Sequence, residues 1–343
     1  MDLDTFLTQW HDSSDLIAVH TSGSTGKPKT MMVEKRRMLA SAKITCDFLH
    51  LTTDDTALLC MSLDYIGAKM VVVRSIERSM HLVTVPPSGH PYAALPEEWR
   101  KPGRITFAAM VPLQVYNALQ VPEERAWLMS IRNLIIGGGA VDEQLAEALK
   151  SFPNHVWSTY GMTETLSHIA LRPLSGPQVS EWYQPFPSVK VSTDAEGCLV
   201  IDAPLVHEGL LVTHDRAEII EGKGFRILGR KDNVIVSGGI KIQIEEVEKQ
   251  LRPHLHEPFL ITKAKHEKFG EEVVLLTDSA DLDAAEAVCR RVLPKYWQPR
   301  RYVHVERLPL TPNGKPARKE AEKVASTVPT DGISPSSQPE RCR

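Results

Sequence analysis

The chain has 343 residues, 42% hydrophobic and 24% charged, with a formal net charge of -3. That length and apolar content support a large core and, on length, two domains. The near-neutral balance gives no electrostatic reason to expect nucleic acid or an anionic membrane as partner. No apolar run is long enough to span a bilayer.

Residues 1–15 hold four acidic side chains and no basic stretch, so they are not expected to be a signal peptide. The apolar run 16–19 is a strand candidate. It enters Thr21-Ser22-Gly23-Ser24-Thr25-Gly26-Lys27-Pro28-Lys29-Thr30. A short apolar run, a Gly-rich turn and then a helical pattern predict strand, loop, helix. The glycines free the backbone, and the four hydroxyls of Thr21, Ser22, Ser24 and Thr25 with two lysines suit a phosphate cradle. Pro28 after Gly26-Lys27 excludes a Walker loop. A flexible Ser/Gly linker is the bland alternative, but Lys-Pro-Lys before an amphipathic helix argues against it.

Further along, strands are expected at 57–61, 81–85, 105–111, 134–136 and 155–157. Helices are expected at 34–49, 66–80, 113–119 and 142–150, with Asp142 as N-cap of the last. This alternation to about residue 165 predicts a mainly parallel, helix-covered sheet. Beyond Ser167, short segments at 199–201, 210–212 and 217–228, broken by Gly and Asp, predict an antiparallel β-rich region. Past Gly229 a smaller βαβ-like unit is expected, with helices at 245–251 and 282–293 and strands at 259–263 and 272–276. From about Ser326 the composition suggests a disordered tail. Cys46, Cys60, Cys198, Cys289 and Cys342 are scattered, as expected of reduced, buried or incidental thiols in a cytosolic protein.

Four clusters accompany the loop. Gly137-Gly138-Gly139-Ala140 follows an apolar strand; it permits close approach of a flat ligand, or is a bare turn. Tyr160-Gly161-Met162-Thr163-Glu164 gathers an aromatic face, a hydroxyl and a carboxylate, or is a helix start capped by Thr163. Asp215 and Gly229-Arg230-Lys231-Asp232 could each be ordinary turns. Thr311-Pro312-Asn313-Gly314-Lys315-Pro316 fixes one lysine between Gly and Pro, where a plain surface lysine is the alternative.

In this order the five clusters resemble the acyl-adenylate-forming enzymes: acyl- and aryl-CoA ligases, luciferases and peptide-synthetase adenylation domains. The resemblance covers residues 15 to 320. The run from Tyr160 to Leu171 looks most like the short bacterial o-succinylbenzoate–CoA ligases of menaquinone synthesis. The resemblance implies an α/β fold in three parts. Residues 1–229 form a large domain with a mainly parallel, helix-covered sheet and a β-rich subregion. Residues 230–325 form a small mobile α+β domain, and 326–343 a tail.

The resemblance also implies ATP, Mg²⁺ and coenzyme A as ligands, with a carboxylic acid as substrate. Thr21, Ser22, Gly23, Ser24, Thr25, Gly26 and Lys29 would hold the β- and γ-phosphates. Gly138, Gly139 and Ala140 would wall the adenine slot, with Tyr160 and Gly161 opposite. Thr163 would bond a phosphate and Glu164 would bind the metal. Asp215, helped by Arg230, would take the ribose hydroxyls. Lys315 would neutralise charge as the acid attacks the α-phosphorus. Asp232 would be the hinge, and Gly238 and Gly239 would line the thiol's approach, or form a hairpin turn.

Several positions depart from the family. Thr21 has only twenty residues before it, where relatives carry well over a hundred, so an N-terminal subdomain is expected to be reduced or missing. Thr30 stands where Gly is common, and Ile240-Lys241 where an acidic-Asn pair is frequent. On the acid side the expectations are Tyr65 as a gating residue, Lys69 as partner of a second substrate carboxylate and His168 as a substrate contact. The bland alternatives are a solvated basic helix face for Arg74 and Arg78, and a satisfied helix-end histidine for His168. An enzyme loading a carrier protein would share every ATP motif. A non-catalytic binding protein would be expected to have lost Lys315 or Glu164.

Overall fold

The computed structural model describes residues 1–20, 30–311 and 316–328. Its first element, helix α1 (Leu3–His11), was not among the expected ones. Asp2 caps it by accepting from the Thr5 N–H at 2.8 Å, and Phe6 and Trp10, four residues apart, bury one face. Strand β1 (Leu16–His20) then pairs antiparallel with β2 (Thr30–Glu34), in register from Leu16↔Glu34 to His20↔Thr30. This corrects the expected strand, loop, helix: a second strand stands between the loop and helix α2 (Lys35–Leu49). The segment Thr30-Met31-Met32-Val33 satisfies its backbone against β1 before the helical period begins.

The chain forms two compact units. The first holds Met1–Ala195, Leu199–Thr213 and Glu218–Arg226. The second holds Glu196–Cys198, His214–Ala217 and Ile227 onward. The first unit is built on a seven-stranded mixed sheet. In chain order its elements are β3 (Thr56–Leu59), α3 (Ile66–Arg78), β4 (His81–Thr84), α4 (Glu97–Arg100) and β5 (Phe107–Met110). Then come α5 (Pro112–Leu119), α6 (Pro122–Ser130), β6 (Asn133–Ile136), α7 (Glu143–Leu149), β7 (His155–Gly161), β8 (His168–Pro173) and β9 (Gln184–Pro185).

The strand order is β4-β3-β5-β6-β7-β8-β9. The five strands from β4 to β7 are parallel, and β8 and β9 add antiparallel at one edge. Short, fully buried runs such as Phe107–Met110 and Asn133–Ile136 are what a sheet covered on both faces requires. Leu58, Ala108, Leu134 and Val156, one from each of four neighbouring strands, share a core cluster with Val115, Leu128 and Leu145 from the helices. Asp142 caps α7 as expected, accepting from the Leu145 N–H at 2.8 Å.

A four-stranded sheet follows in chain order: β10 (Lys190–Thr193), β11 (Cys198–Asp202), β12 (Leu210–Ile220) and β13 (Gly224–Arg230). The second unit holds β14 (Val234–Ser237), β15 (Ile240–Gln243), α8 (Ile244–Leu251), β16 (Phe259–His266), β17 (Gly270–Thr277), α9 (Leu282–Val292), β18 (Arg301–His304) and α10 (Arg318–Thr327). β17, α9 and β18 make a parallel βαβ crossover, while β16 pairs antiparallel with β17. β17 is buried on both faces. Val273 and Leu275 pack with Val247 and Cys289; Val274 and Leu276 pack with Ala321 and Ala325 of α10. Helix α10 corrects the expected tail, since Ser326 and Thr327 belong to it.

Candidate active site

Parallel strands deliver their C-terminal ends to one edge of a sheet, which is where open α/β sheets bind ligands. The segments after β3 (60–65), β4 (85–90), β5 (Val111), β6 (137–140) and β7 (162–166) therefore share that edge. The expected phosphate residues Thr21, Ser22, Gly23, Ser24, Thr25, Gly26 and Lys29, and the expected catalytic Lys315, lie outside the described residues, as does Cys342. At the base of the β1–β2 hairpin, His20 Nδ1 and Thr30 Oγ1 are 3.1 Å apart.

Adjacent strands β6 and β7 bring two predicted clusters side by side. A Cβ on Gly137 would stand 2.3 Å from Thr159 Oγ1, so a side chain there would force that hydroxyl to turn away. Gly138 has φ +77°, a left-handed conformation that favours glycine, and with Ala140 it is exposed. Gly139 is half-buried. On the neighbouring strand the ring of Tyr160 packs edge-on against Phe225, 5.1 Å between centroids, and tilted against Tyr183 at 5.8 Å. The β7–β8 register shifts at Tyr160/Gly161, and a Cβ on Gly161 would stand 2.2 Å from the Ser167 carbonyl oxygen.

The turn after β7 is a single 3-10 turn, Thr163–Thr165. This corrects the helix start capped by Thr163. Thr165 instead closes the turn, its Oγ1 accepting from the Met162 N–H at 3.1 Å and donating to the Ser167 carbonyl at 2.7 Å. Leu166 takes φ +63° at its end. Thr163 is buried and Glu164 half-buried. His207 Nδ1 lies 3.1 Å from the Glu164 carbonyl oxygen, which can only accept, so the hydrogen sits on Nδ1. Sequence reading missed His207, a lone histidine in a turn with no motif around it.

The acid-side expectations need correction. Lys69 is fully buried, and its Nζ donates to the Ala18 carbonyl of β1 at 2.8 Å. Burial pulls its pKa below the usual lysine range, against the pull of Asp64. It braces β1 and is not free for a substrate carboxylate. His168 is buried at the start of β8, on a strand and not at a helix end. Its Nε2 lies 3.0 Å from Thr45 Oγ1 and its Nδ1 3.3 Å from Ser167 Oγ, so protein takes both nitrogens. Burial, then the charge of Arg74, hold its pKa well below the histidine range.

Arg74 is only 1% exposed, and one terminal nitrogen donates to Ser167 Oγ at 2.6 Å, so it is no solvated face. Burial lowers its pKa to about 10. Arg78 is half-buried and pairs with Glu77 at 3.0 Å and with Asp47. Tyr65 is half-buried at the N-cap position of α3.

In the second unit Asp215, on β12, is paired with Arg230 at 3.2 Å. Arg230 also reaches Asp232 at 3.0 Å, and His214 Nδ1 lies 2.8 Å from the same Asp232 oxygen. Burial raises the Asp232 carboxyl, but the bonds from His214 and Arg230 outweigh it and leave its pKa lowered. Gly238 and Gly239 join β14 to β15 with φ +57° and +85°. Positive φ at both central residues is the tight hairpin turn of type I′, so the hairpin alternative holds for their local structure.

Among the described residues no three His, Cys, Asp or Glu side chains gather as a metal site. A single carboxylate such as Glu164 still fits magnesium, which takes one or two protein carboxylates and completes its shell with phosphate oxygens and water.

The sequence profile of the AMP-binding enzyme family matches residues 6–209. A 2-succinylbenzoate–CoA ligase of Bacillus mycoides (strain KBAB4) is 27% identical over 344 aligned positions, spanning 90% of this chain and 70% of the relative. A crystal structure described as an acyl-CoA synthetase (AMP-forming)/AMP-acid ligase II-like protein from Dyadobacter fermentans is 30% identical. Its TM-score is 0.61, with 94% of this chain and 92% of that one covered. The o-succinylbenzoate coenzyme A synthetase of Bacillus subtilis, solved with ATP and magnesium ion, has a TM-score of 0.73 at 22% identity, covering 88% and 69%. At that identity it speaks for the fold alone.

Proposed function

The chain belongs to the AMP-binding enzyme family, and from that premise we propose that it is an AMP-forming acid–thiol ligase that joins o-succinylbenzoate to coenzyme A. The observation that carries the reading is the pair of loops on adjacent parallel strands. Gly137-Gly138-Gly139-Ala140 and Tyr160-Gly161-Met162-Thr163-Glu164 lie on neighbouring strands at the C-terminal edge of the sheet, where main chain leaves no room for a side chain at 161. The choice of acid is supported by the ligase from Bacillus mycoides and by the run from Tyr160 to Leu171.

In this reading the acid carboxylate attacks the α-phosphorus of ATP and pyrophosphate leaves. The thiol of coenzyme A then attacks the acyl carbonyl, a thioester forms and AMP leaves. Residues 21–29 would hold the phosphates, Gly138 to Ala140 and Tyr160 the adenine, and Asp215 with Arg230 the ribose. Thr163 would bond a phosphate. Bound magnesium would supply charge neutralisation at the phosphates, held from the protein by Glu164. Lys315 would steady the charge of the adenylation step. Asp232 would serve as the hinge of a mobile domain, with Gly238 and Gly239 beside the thiol's path. Tyr65 would gate the acid.

The test is product analysis with ATP, coenzyme A and a panel of aromatic and aliphatic acids. AMP, pyrophosphate and o-succinylbenzoyl-CoA are expected. ADP and phosphate would refute the ligase reading, and palmitate turned over as fast as o-succinylbenzoate would refute the acid. Transfer to a carrier protein without free coenzyme A would move the assignment to a carrier-loading enzyme. Lys315→Ala should slow adenylation by roughly a hundredfold and spare thioester formation from supplied acyl-AMP.

A further inference from the structure

Gln114, on the first turn of α5, is 5% exposed and spends both amide hydrogens and its oxygen on main chain. Its Nε2 donates to the Cys60 carbonyl at 3.0 Å and to the Ser88 carbonyl at 2.8 Å. Its Oε1 accepts from the Val111 N–H at 3.2 Å. These three groups belong to the segments that leave the C-terminal ends of β3, β4 and β5, neighbours in the sheet: Cys60 and Val111 directly follow their strands, and Ser88 lies in the loop after β4. One turn later Asn117 Nδ2 donates to the Gly89 carbonyl at 3.3 Å, and a Cβ on Gly89 would stand 2.8 Å from that nitrogen. Two amides on one helix face thus latch two successive carbonyls of the loop after β4.

We propose that Gln114 is a positioning residue that sets the acid-binding side of the site by clamping the three segments that follow β3, β4 and β5. The inference rests on the ligase reading. Strand order supports it. The clusters assigned to the nucleotide follow β6 and β7, and the glycines assigned to the thiol's path join β14 to β15, which leaves the ends of β5, β3 and β4 for the acid. The Cys60 carbonyl starts the segment that ends at Tyr65. Cys60 is buried, so its carbonyl must find a donor, and the same side chain also bonds Ser88 and Val111, so one residue links all three segments.

The plainer role is helix capping: Oε1 on the Val111 N–H is half of a capping arrangement. Capping needs only the oxygen, and the two donated bonds go elsewhere. Gln114→Glu keeps the acceptor and removes both donors; Gln114→Met removes all three. The experiment measures KM for the acid and for ATP in AMP formation, with melting temperatures alongside. In Gln114→Glu the acid KM should rise at least tenfold while the ATP KM stays within twofold. Asn117→Ala, which frees only the Gly89 carbonyl, should show the same split at smaller amplitude and serves if Gln114→Glu fails to fold.

An acid KM within twofold of wild type in Gln114→Glu, with only Gln114→Met impaired, would reduce Gln114 to a cap and overturn the proposal. Equal rises for acid and ATP would overturn it as well. A wild-type protein that forms no AMP with any acid sinks the ligase reading and this inference together; an active wild type with an indifferent Gln114→Glu sinks this inference alone.

Discussion

The Lys69 ammonium lies 2.8 Å from the carbonyl oxygen of Ala18, tying helix α3 to strand β1. Strand β1 runs into the residues proposed to hold the phosphates. A fully buried ammonium is costly unless it is bonded, so this contact fixes the strand and the lysine together. Lys69→Met would orphan the Ala18 carbonyl at a cost of about 1–3 kcal/mol. The ATP KM is expected to rise more than the acid KM. Steady-state kinetics with each substrate varied in turn decides it: a rise confined to the acid would return Lys69 to the substrate pocket.

His168 makes stability depend on pH in a defined direction. Folded, it is kept neutral by burial and by Arg74. Unfolded, it takes a proton near its ordinary value of about 6.5. Below that value the unfolded chain binds the extra proton, so stability falls as pH falls, by up to about 1.4 kcal/mol per pH unit. Above it, this group contributes no slope. Urea unfolding at pH 7.5, 6.5 and 5.5 should show the loss, and His168→Gln should flatten it. An unchanged slope in the variant would assign the pH dependence to other groups.

The parallel sheet was legible because its strands are buried on both faces and are written as unbroken apolar runs, such as Leu134-Ile135-Ile136. Helices α2, α3, α5 and α7 followed from their apolar period and, for α7, from Asp142 as cap. Strand β2 was hidden because Thr30 to Val33 abuts the helical pattern and leaves Met32 59% exposed, so no alternation marks it. Helix α10 buries only Ala321 and Ala325, too small a stripe to stand out among charged residues. The acid side misled for one reason. Lys69 and Arg74 are charged residues taken into the interior, and a charge in sequence suggests solvent or ligand before it suggests a backbone carbonyl. Gln114 carries no charge and no motif, so only its bonds reveal it.

In the second unit Arg318 holds Glu248 with two bonds, at 2.6 and 2.8 Å, and donates to the Ile261 carbonyl at 2.9 Å. Glu248 Oε1 also accepts from the Ile261 N–H at 3.0 Å. Burial lowers the Arg318 pKa, but the bonds and charge of Glu248 outweigh it and leave it raised. Breaking such a pair leaves a buried charge alone, so Arg318→Met or Glu248→Gln should each destabilise this unit by about 3–5 kcal/mol. The double variant should cost less than the two single costs added. Chemical unfolding across the four proteins measures the coupling, and strict additivity would show that the two side chains do not act as a pair.

Two glycines separate steric need from backbone strain. Gly176 has φ +77° and open space around it, so Gly176→Ala pays only for the left-handed conformation, about 1–2 kcal/mol. Gly161 sits at the β7–β8 irregularity, where a Cβ would lie 2.2 Å from the Ser167 carbonyl oxygen and 2.4 Å from the His168 Cα. Both are main-chain atoms and neither can rotate away. Gly161→Ala must push β7 from β8 and carry Tyr160, Thr163 and Glu164 with it. A displacement of about 1 Å in positioning groups can cost on the order of a hundredfold in rate. AMP formation by Gly161→Ala should therefore fall at least tenfold, while Gly176→Ala stays within twofold of wild type despite a lower melting temperature. If the two variants lose activity equally, or Gly161→Ala keeps it, the turn from Tyr160 to Glu164 has no part in placing the nucleotide.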